Sequence, residues 1–363
     1  MGVMMQTFFW DCPRVDKREF QWWNTIREQV PALAKAGFTS LWLPPAHKAA
    51  NLAGPSMGYD PYDYYDLGEF DQKGGIPTWF GTRAELESLI QAAHSHKLSV
   101  IADMVFNHNS GADAQELNPI LNQMRWTLFT PKSGKFARNW ECFHPSKYES
   151  WDEMTFGDMP DLSHRNPYVF NELINLARWL VEEIRFDGFR YDFVKGFNAA
   201  TIQAMQEYRY TRDGNYFAPY GVAEYWDSTT NTVNWVNSAN FSNSNPVDAF
   251  DFPQREMLKA LCDQYGFSLK NLTTWDTVLK RQQQSAVTFV ENHDLRDEGR
   301  PIVNDKLLAY SYILTHEGYP CVFWHDYFNL NLALSDSPNG IAALVSAHEK
   351  YAGGGTEVLY VDD

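Results

Sequence analysis

Eight short apolar runs of β-forming residues, alternating with helical patterns from end to end, constrain this chain more than any other feature. The runs are Val3–Phe9, Thr39–Leu43, Val100–Phe106, Gly188–Tyr191, Gly221–Ala223, Val247–Phe250, Val287–Val290 and Cys321–Trp324. Amphipathic stretches lie between them at Trp22–Ala36, Arg83–His96, Pro167–Ile184, Ala200–Tyr208, Gln254–Tyr265 and Asp305–Thr315. A further helix, Ile341–Tyr351, follows the last run. Repeated strand-then-helix units build a parallel α/β sheet. Eight of them exceed the roughly five or six strands of a doubly wound sheet, so a closed (β/α)8 TIM barrel is expected.

The alternation breaks once. From Asn109 to Arg165 the sequence is polar, aromatic and rich in Pro and Gly, with no clean period. That is too long for an ordinary connection. It follows the third strand, at the face where barrel sites are built, and reads as a small inserted domain. The barrel would then comprise residues 1–108 and 166–352, with the insertion at 109–165. Gly353-Gly354-Gly355 reads as a linker, and Thr356–Val361 as an apolar strand without a partner, so 353–363 is expected to open a truncated C-terminal β domain.

Composition narrows the partners. The net charge of −16 argues against nucleic acid or an anionic membrane, because a polyanion needs a basic footprint. No run of about 18 apolar residues exists to span a bilayer. Met1–Trp10 lacks the basic and small-residue features of a secretory signal. The expected setting is therefore cytoplasmic, or secreted if a leader has been removed. Cys12, Cys142, Cys262 and Cys321 form no CxxC pair and read as free buried thiols, with one long-range disulfide as the alternative. Aromatic residues make up 15% of the chain, which implies either a bulky core or stacking platforms for flat ligands such as sugar rings. Trp10, Tyr59, Tyr62, Tyr65, Trp79, Trp140, Trp151, Tyr225 and Trp226 lie on or beside expected loops and are the platform candidates. Trp22, Trp23 and Trp179 sit in helical patterns and should pack helices on the barrel.

Chemistry in such a barrel gathers at the C-terminal strand ends. Those ends carry Asp103-Met-Val-Phe-Asn107-His108, Arg190-Tyr-Asp192, Glu224-Tyr-Trp and Glu291-Asn-His293-Asp294. Asp192, Glu224 and Asp294 should converge on one mouth, accompanied by His108, His293 and Arg190. Clustered carboxylates cannot ionise equally, which yields an ionised nucleophile beside a protonated acid, as glycoside hydrolysis requires. Arg190 shares a strand face with Asp192 and should help keep it ionised.

These motifs resemble those of the α-amylase family, glycoside hydrolase family 13, over nearly the whole chain. Asp103–His108, Gly188–Gly196, Gly221–Glu224 and Phe289–Asp294 look like its four signatures, and Met159–Leu162 like an additional one. Gly58–Phe70 adds likeness to the archaeal and plant type. The resemblance implies retaining endo-hydrolysis of α-1,4-glucosidic bonds in starch, glycogen and related glucans. It implies Asp192 as nucleophile, Glu224 as general acid and base, and Asp294 as transition-state stabiliser. It further implies that His108 and His293 bind sugar hydroxyls, Arg190 supports the nucleophile, Tyr59 stacks on the sugar at the cleavage point, and Lys195 contacts the leaving side.

The family pattern also implies a structural Ca²⁺, bound by the side chains of Asn107, Asp152 and Asp161 and the carbonyls of Met154 and Gly196. Archaeal relatives add a zinc. Here His144 matches that pattern, but Glu149 and Ser163 replace the other two ligands, so no zinc is expected. Same-fold α-glucosidases, oligo-1,6-glucosidases and transglycosylases share the acids and remain as alternatives, as does a non-catalytic carbohydrate-binding protein. Oligomeric state is not legible in the sequence.

Overall fold

A computed structural model describes residues 2–51, 55–148, 154–334 and 338–362. Eight strands form the expected ring: β1 (Met4–Gln6), β2 (Ser40–Trp42), β3 (Ser99–Met104), β4 (Gly188–Tyr191), β5 (Tyr220–Ala223), β6 (Asp248–Phe250), β7 (Ala286–Phe289) and β8 (Tyr319–Phe323). Each pairs in parallel with the next, and β1 pairs with β8 to close the barrel. Closure leaves the barrel sheet without an edge.

The outer ring consists of α1 (Trp22–Ala36), α2 (Arg83–Ser95), α3 (Pro167–Trp179), α4 (Ala199–Glu207), α5 (Thr229–Ala239), α6 (Phe252–Asp263), α7 (Lys306–Thr315) and α8 (Ile341–Tyr351). Local signals explain several boundaries. Thr82 and Glu85 form a reciprocal capping box at the start of α2. Asn166 caps α3, with Pro167 in its first turn. α1 stops at Gly37, whose φ of 111° suits a residue without a Cβ. Trp22 and Trp23 are fully buried on α1, and Trp179 nearly so on α3, so these rings do pack helices on the barrel.

Three expectations change. The helix expected at Pro167–Ile184 is α-helical only to Trp179, and its last turn, Leu180–Ile184, widens to π geometry before Arg185 turns left-handed. α5 does not stand out in the sequence because Thr, Asn and Ser dominate it; burial of Trp235, Val236 and Ala239 decides its conformation instead. Thr356–Val361 forms no strand: Val358, Leu359 and Tyr360 are exposed, and an isolated strand has no ladder to join. All four cysteines are free and buried. No helix among the described residues is long and apolar enough to cross a membrane.

Between β3 and α3 the chain leaves the barrel. It forms an antiparallel hairpin, Ala114–Asn118 with Gln123–Leu128, and a 3-10 turn at Trp140–Cys142. It returns beside its own start, where His108 bridges Asp161 and Leu162 N–H donates to the Asn107 carbonyl at 2.9 Å.

Candidate active site

Register aims the first two groups. Asp103 on β3 is paired with Arg190 on β4, so the two side chains share a face, and Asp192 follows Arg190 by two residues. Arg190 is buried, and its Nη1 donates to Asp103 Oδ1 at 2.8 Å and to Asp192 Oδ1 at 2.7 Å. Its Nη2 pairs with Glu224 Oε2 at 2.9 Å. Asp192 and Glu224 are thus held on one guanidinium, each within 3 Å of it.

Burial pushes Asp192 well above the usual carboxylate range; Arg190 opposes the rise, while Glu224, Asp103 and Asp294 reinforce it. Burial also raises Glu224, against Arg190 and with Asp294. Arg190 therefore does not simply keep Asp192 ionised. Its charge is divided over three acids, and desolvation outweighs it at Asp192. The pair titrates as a unit that retains a proton above the pH at which ordinary carboxylates lose theirs.

Asp294 sits in a helical turn, His293–Asp297, just beyond β7. Trp10 Nε1 donates to Asp294 Oδ1 at 3.3 Å, and His293 Nε2 lies 3.4 Å from Oδ2. Burial and the nearby Arg190 lower His293 to about 3, so it is neutral at ordinary pH. Gln6 Nε2 donates to His293 Nδ1 at 2.9 Å, which leaves the ring proton on Nε2, facing Asp294.

The Tyr59 ring stacks on His293 with centroids 5.2 Å apart, and its hydroxyl donates to Asp103 Oδ2 at 2.8 Å. Trp42 Nε1 donates to the same oxygen at 2.9 Å. His108 Nε2 donates to the Tyr59 carbonyl at 2.9 Å, and its ring stacks on Phe156. Lys195 lies further out, its Nζ 2.8 Å from Asp227 Oδ2 and donating to the Trp226 carbonyl at 3.0 Å. That bond is the main reason Asp227 falls to about 2.

The structure thus brings together every sequence-derived acid, both histidines, Arg190 and Tyr59. Three participants were not anticipated in their roles: Asp103 as a fourth acid, itself buried, Trp10 as a donor to Asp294, and Asp227 as the partner of Lys195. Asp103 had a legible signal, being the sole charged residue in an apolar strand and opening a motif. Tyr62 and Tyr65 are buried core residues, not platforms, because each ring packs on a neighbouring aromatic, Phe129 and Trp179 respectively. Trp10, Tyr59, Tyr225 and Trp226 remain partly exposed near the acids. Trp151 lies outside the described residues.

Of the expected calcium ligands, Asn107, Asp161 and Gly196 converge. Asn107 is fully buried, and neither its Oδ1 nor its Nδ2 has a hydrogen-bond partner. A Cβ at Gly196 would overlap Asn107 Oδ1, so the glycine leaves that oxygen its space. Met154 is exposed, and Asp152 lies outside the described residues. Among the described residues, no group of three or more His, Cys, Asp and Glu side chains is gathered as a metal cluster. Of the expected zinc departures, Ser163 Oγ meets Ser146 Oγ at 2.9 Å, and Glu149 lies outside the described residues.

Comparison with known proteins agrees with this geometry. The family model for the α-amylase catalytic domain matches residues 14–324. The chain is 31% identical to the α-amylase of Bacillus licheniformis, over 97% of this chain and 77% of that protein. It is 32% identical to the α-amylase of Geobacillus stearothermophilus, over 99% of this chain and 73% of that protein. Among solved structures, the α-amylase of Geobacillus thermoleovorans complexed with acarbose superposes with a TM-score of 0.64 at 20% identity, covering 96% of this chain and 77% of that one. With family model, relatives and barrel in agreement, the chain belongs to the α-amylase family of glycoside hydrolases.

Proposed function

We propose that this chain hydrolyses internal α-1,4-glucosidic bonds of starch, glycogen and related glucans with retention at the anomeric carbon. One observation carries the reading: Asp192 and Glu224 both pair with the single Arg190 guanidinium, at 2.7 and 2.9 Å, which holds the two carboxyls close together. An inverting pair stands further apart, at about 6.5–9.5 Å, to admit a water between acid and base.

In the first step, an Asp192 oxygen bonds to the anomeric carbon while the glucosidic C–O bond breaks. The Glu224 proton passes to the departing oxygen. In the second step, water gives a proton to the Glu224 carboxylate as its oxygen displaces Asp192. The step needs the proton of the pair on Glu224 and Asp192 ionised beside Arg190 Nη1. Asp294 stabilises the oxocarbenium-like charge, while His108 and the Nε2 proton of His293 meet sugar hydroxyls. Tyr59 offers its ring to the same sugar. Lys195, pre-set by Asp227, meets the next glucose on the leaving side.

Calcium fits the oxygen donors at the root of the excursion, being a hard cation that takes carboxylate, amide and carbonyl ligands. Asn107 and Asp161, with Asp152 and the carbonyls of Met154 and Gly196, would hold it. Bound there, the ion would link the second signature to residues 109–165, taken as an inserted domain, in a structural role. No catalytic step passes through it.

Replacement tests the assignment. Asp192→Asn and Glu224→Gln should each lower turnover of soluble starch at least a thousandfold with little change in melting temperature. Near-normal turnover in either variant would refute the roles given. Wild-type enzyme should release mixed oligosaccharides early, and exclusive release of glucose would favour a chain-end α-glucosidase instead.

A further inference from the structure

Asp294 and His293 ride on a loop between β7 and α7 whose two arms meet at one buried side chain. Arg255, on α6, is fully buried. Its Nε donates to the Val290 carbonyl at 3.3 Å and its Nη2 to Glu291 Oε1 at 2.8 Å, on the outgoing arm. The same Nη2 donates to the Arg300 carbonyl at 2.6 Å, on the returning arm. Glu291 completes the closure, because its Oε2 accepts from Ile302 N–H at 3.0 Å. Lys306, at the start of α7, reaches Glu291 Oε2 at 3.2 Å and Asp326 Oδ1 at 2.7 Å, and Tyr310 donates to Asp326 Oδ2 at 2.8 Å. Two cations and two anions therefore balance in the interior. Glu256, half-buried, lies 3.3 Å from Arg255 Nη1.

Burying four charges is costly, and well-packed apolar side chains often give equal or greater stability. What apolar groups cannot supply is direction. The guanidinium fork fixes three points of the loop at once, and between those points lies the turn His293–Asp297, started by the Asn292 side chain accepting from Leu295 N–H at 2.9 Å. Asp294 stands on that turn, so the placement of its carboxylate follows the placement of the turn.

We propose that Arg255, through its clamp on Glu291 and the two loop arms, is a positioning residue that aims Asp294 at the transition state. The inference rests on the glycosidase reading and adds a group from α6 that meets no substrate. A group that acts only by aiming Asp294 should matter only while Asp294 is present.

The test is a double-mutant cycle on the full chain, using maltooligosaccharides bearing an activated aryl leaving group so that slow variants remain measurable. Arg255→Met should lower kcat about tenfold and leave KM within twofold. In an Asp294→Asn background the same replacement should cost less than twofold. Arg255→Lys and Glu291→Gln serve as further arms if Arg255→Met does not fold; each should show the same loss and the same disappearance. An equal loss in both backgrounds, or no loss of kcat in a folded Arg255 variant, would overturn the proposal. Inactive wild-type enzyme would instead refute the glycosidase reading, so the two failures are distinguishable.

Discussion

At the scale of single residues, the site is governed by how one guanidinium is shared. Arg190 would give its full charge to Asp192 if it met no other acid, but Asp103 and Glu224 divide it. Asp103 raises Asp192 by direct repulsion as well as by occupying Arg190. Asp103→Asn should therefore lower the Asp192 carboxyl. Because the nucleophile must be ionised, the acid limb of the kcat/KM profile should move to lower pH, by on the order of one unit. An acid limb that stays in place would show that Asp103 does not act on the pair. The identities of Asp192, Glu224 and Asp294 were legible because strand-end acids fall where barrel topology collects them. The division of Arg190 was not, since it depends on which carboxylate oxygens lie within 3 Å of its guanidinium, and no spacing rule states that.

At the scale of elements, the excursion after β3 matters through its root more than its length. The backbone pairing of His108 with Asp161 brings Asn107 beside residues separated from it by the whole segment. Gly196, on the turn after β4, completes the approach. Calcium at a hundredfold excess over Kd should raise the melting temperature of the wild-type chain by roughly 3–4 °C, from about 2.7 kcal/mol. A chelator should reverse the shift. Gly196→Ala should abolish it, because the added methyl meets Asn107 Oδ1. An unchanged calcium response in Gly196→Ala, or none in the wild type, would count against the assigned ligands. Seven of the eight outer helices were legible from amphipathic periodicity. The eighth, α5, was not, because its Thr- and Asn-rich sequence has weak intrinsic preference and takes its helix from the packing of Trp235 and Val236.

At the scale of the molecule, the eight-fold alternation was sufficient to specify a barrel. Each strand sits within a few residues of its expected place, from Met4–Gln6 to Tyr319–Phe323. Closure then did what sequence separation hides: it set residues from β3, β4, β5 and β7 around one rim, with Arg255 of α6 behind them. What the sequence could not state was the set of contacts across the ring, such as Trp10 to Asp294 or Gln6 to His293, because they join the first strand to the seventh. On the proposed mechanism this rim performs a double displacement through Asp192. Proton NMR of the reducing end released in the first minutes of maltooligosaccharide hydrolysis, before mutarotation, tests it directly. The α anomer should appear as first product, and initial release of the β anomer would show inversion and exclude Asp192 as nucleophile.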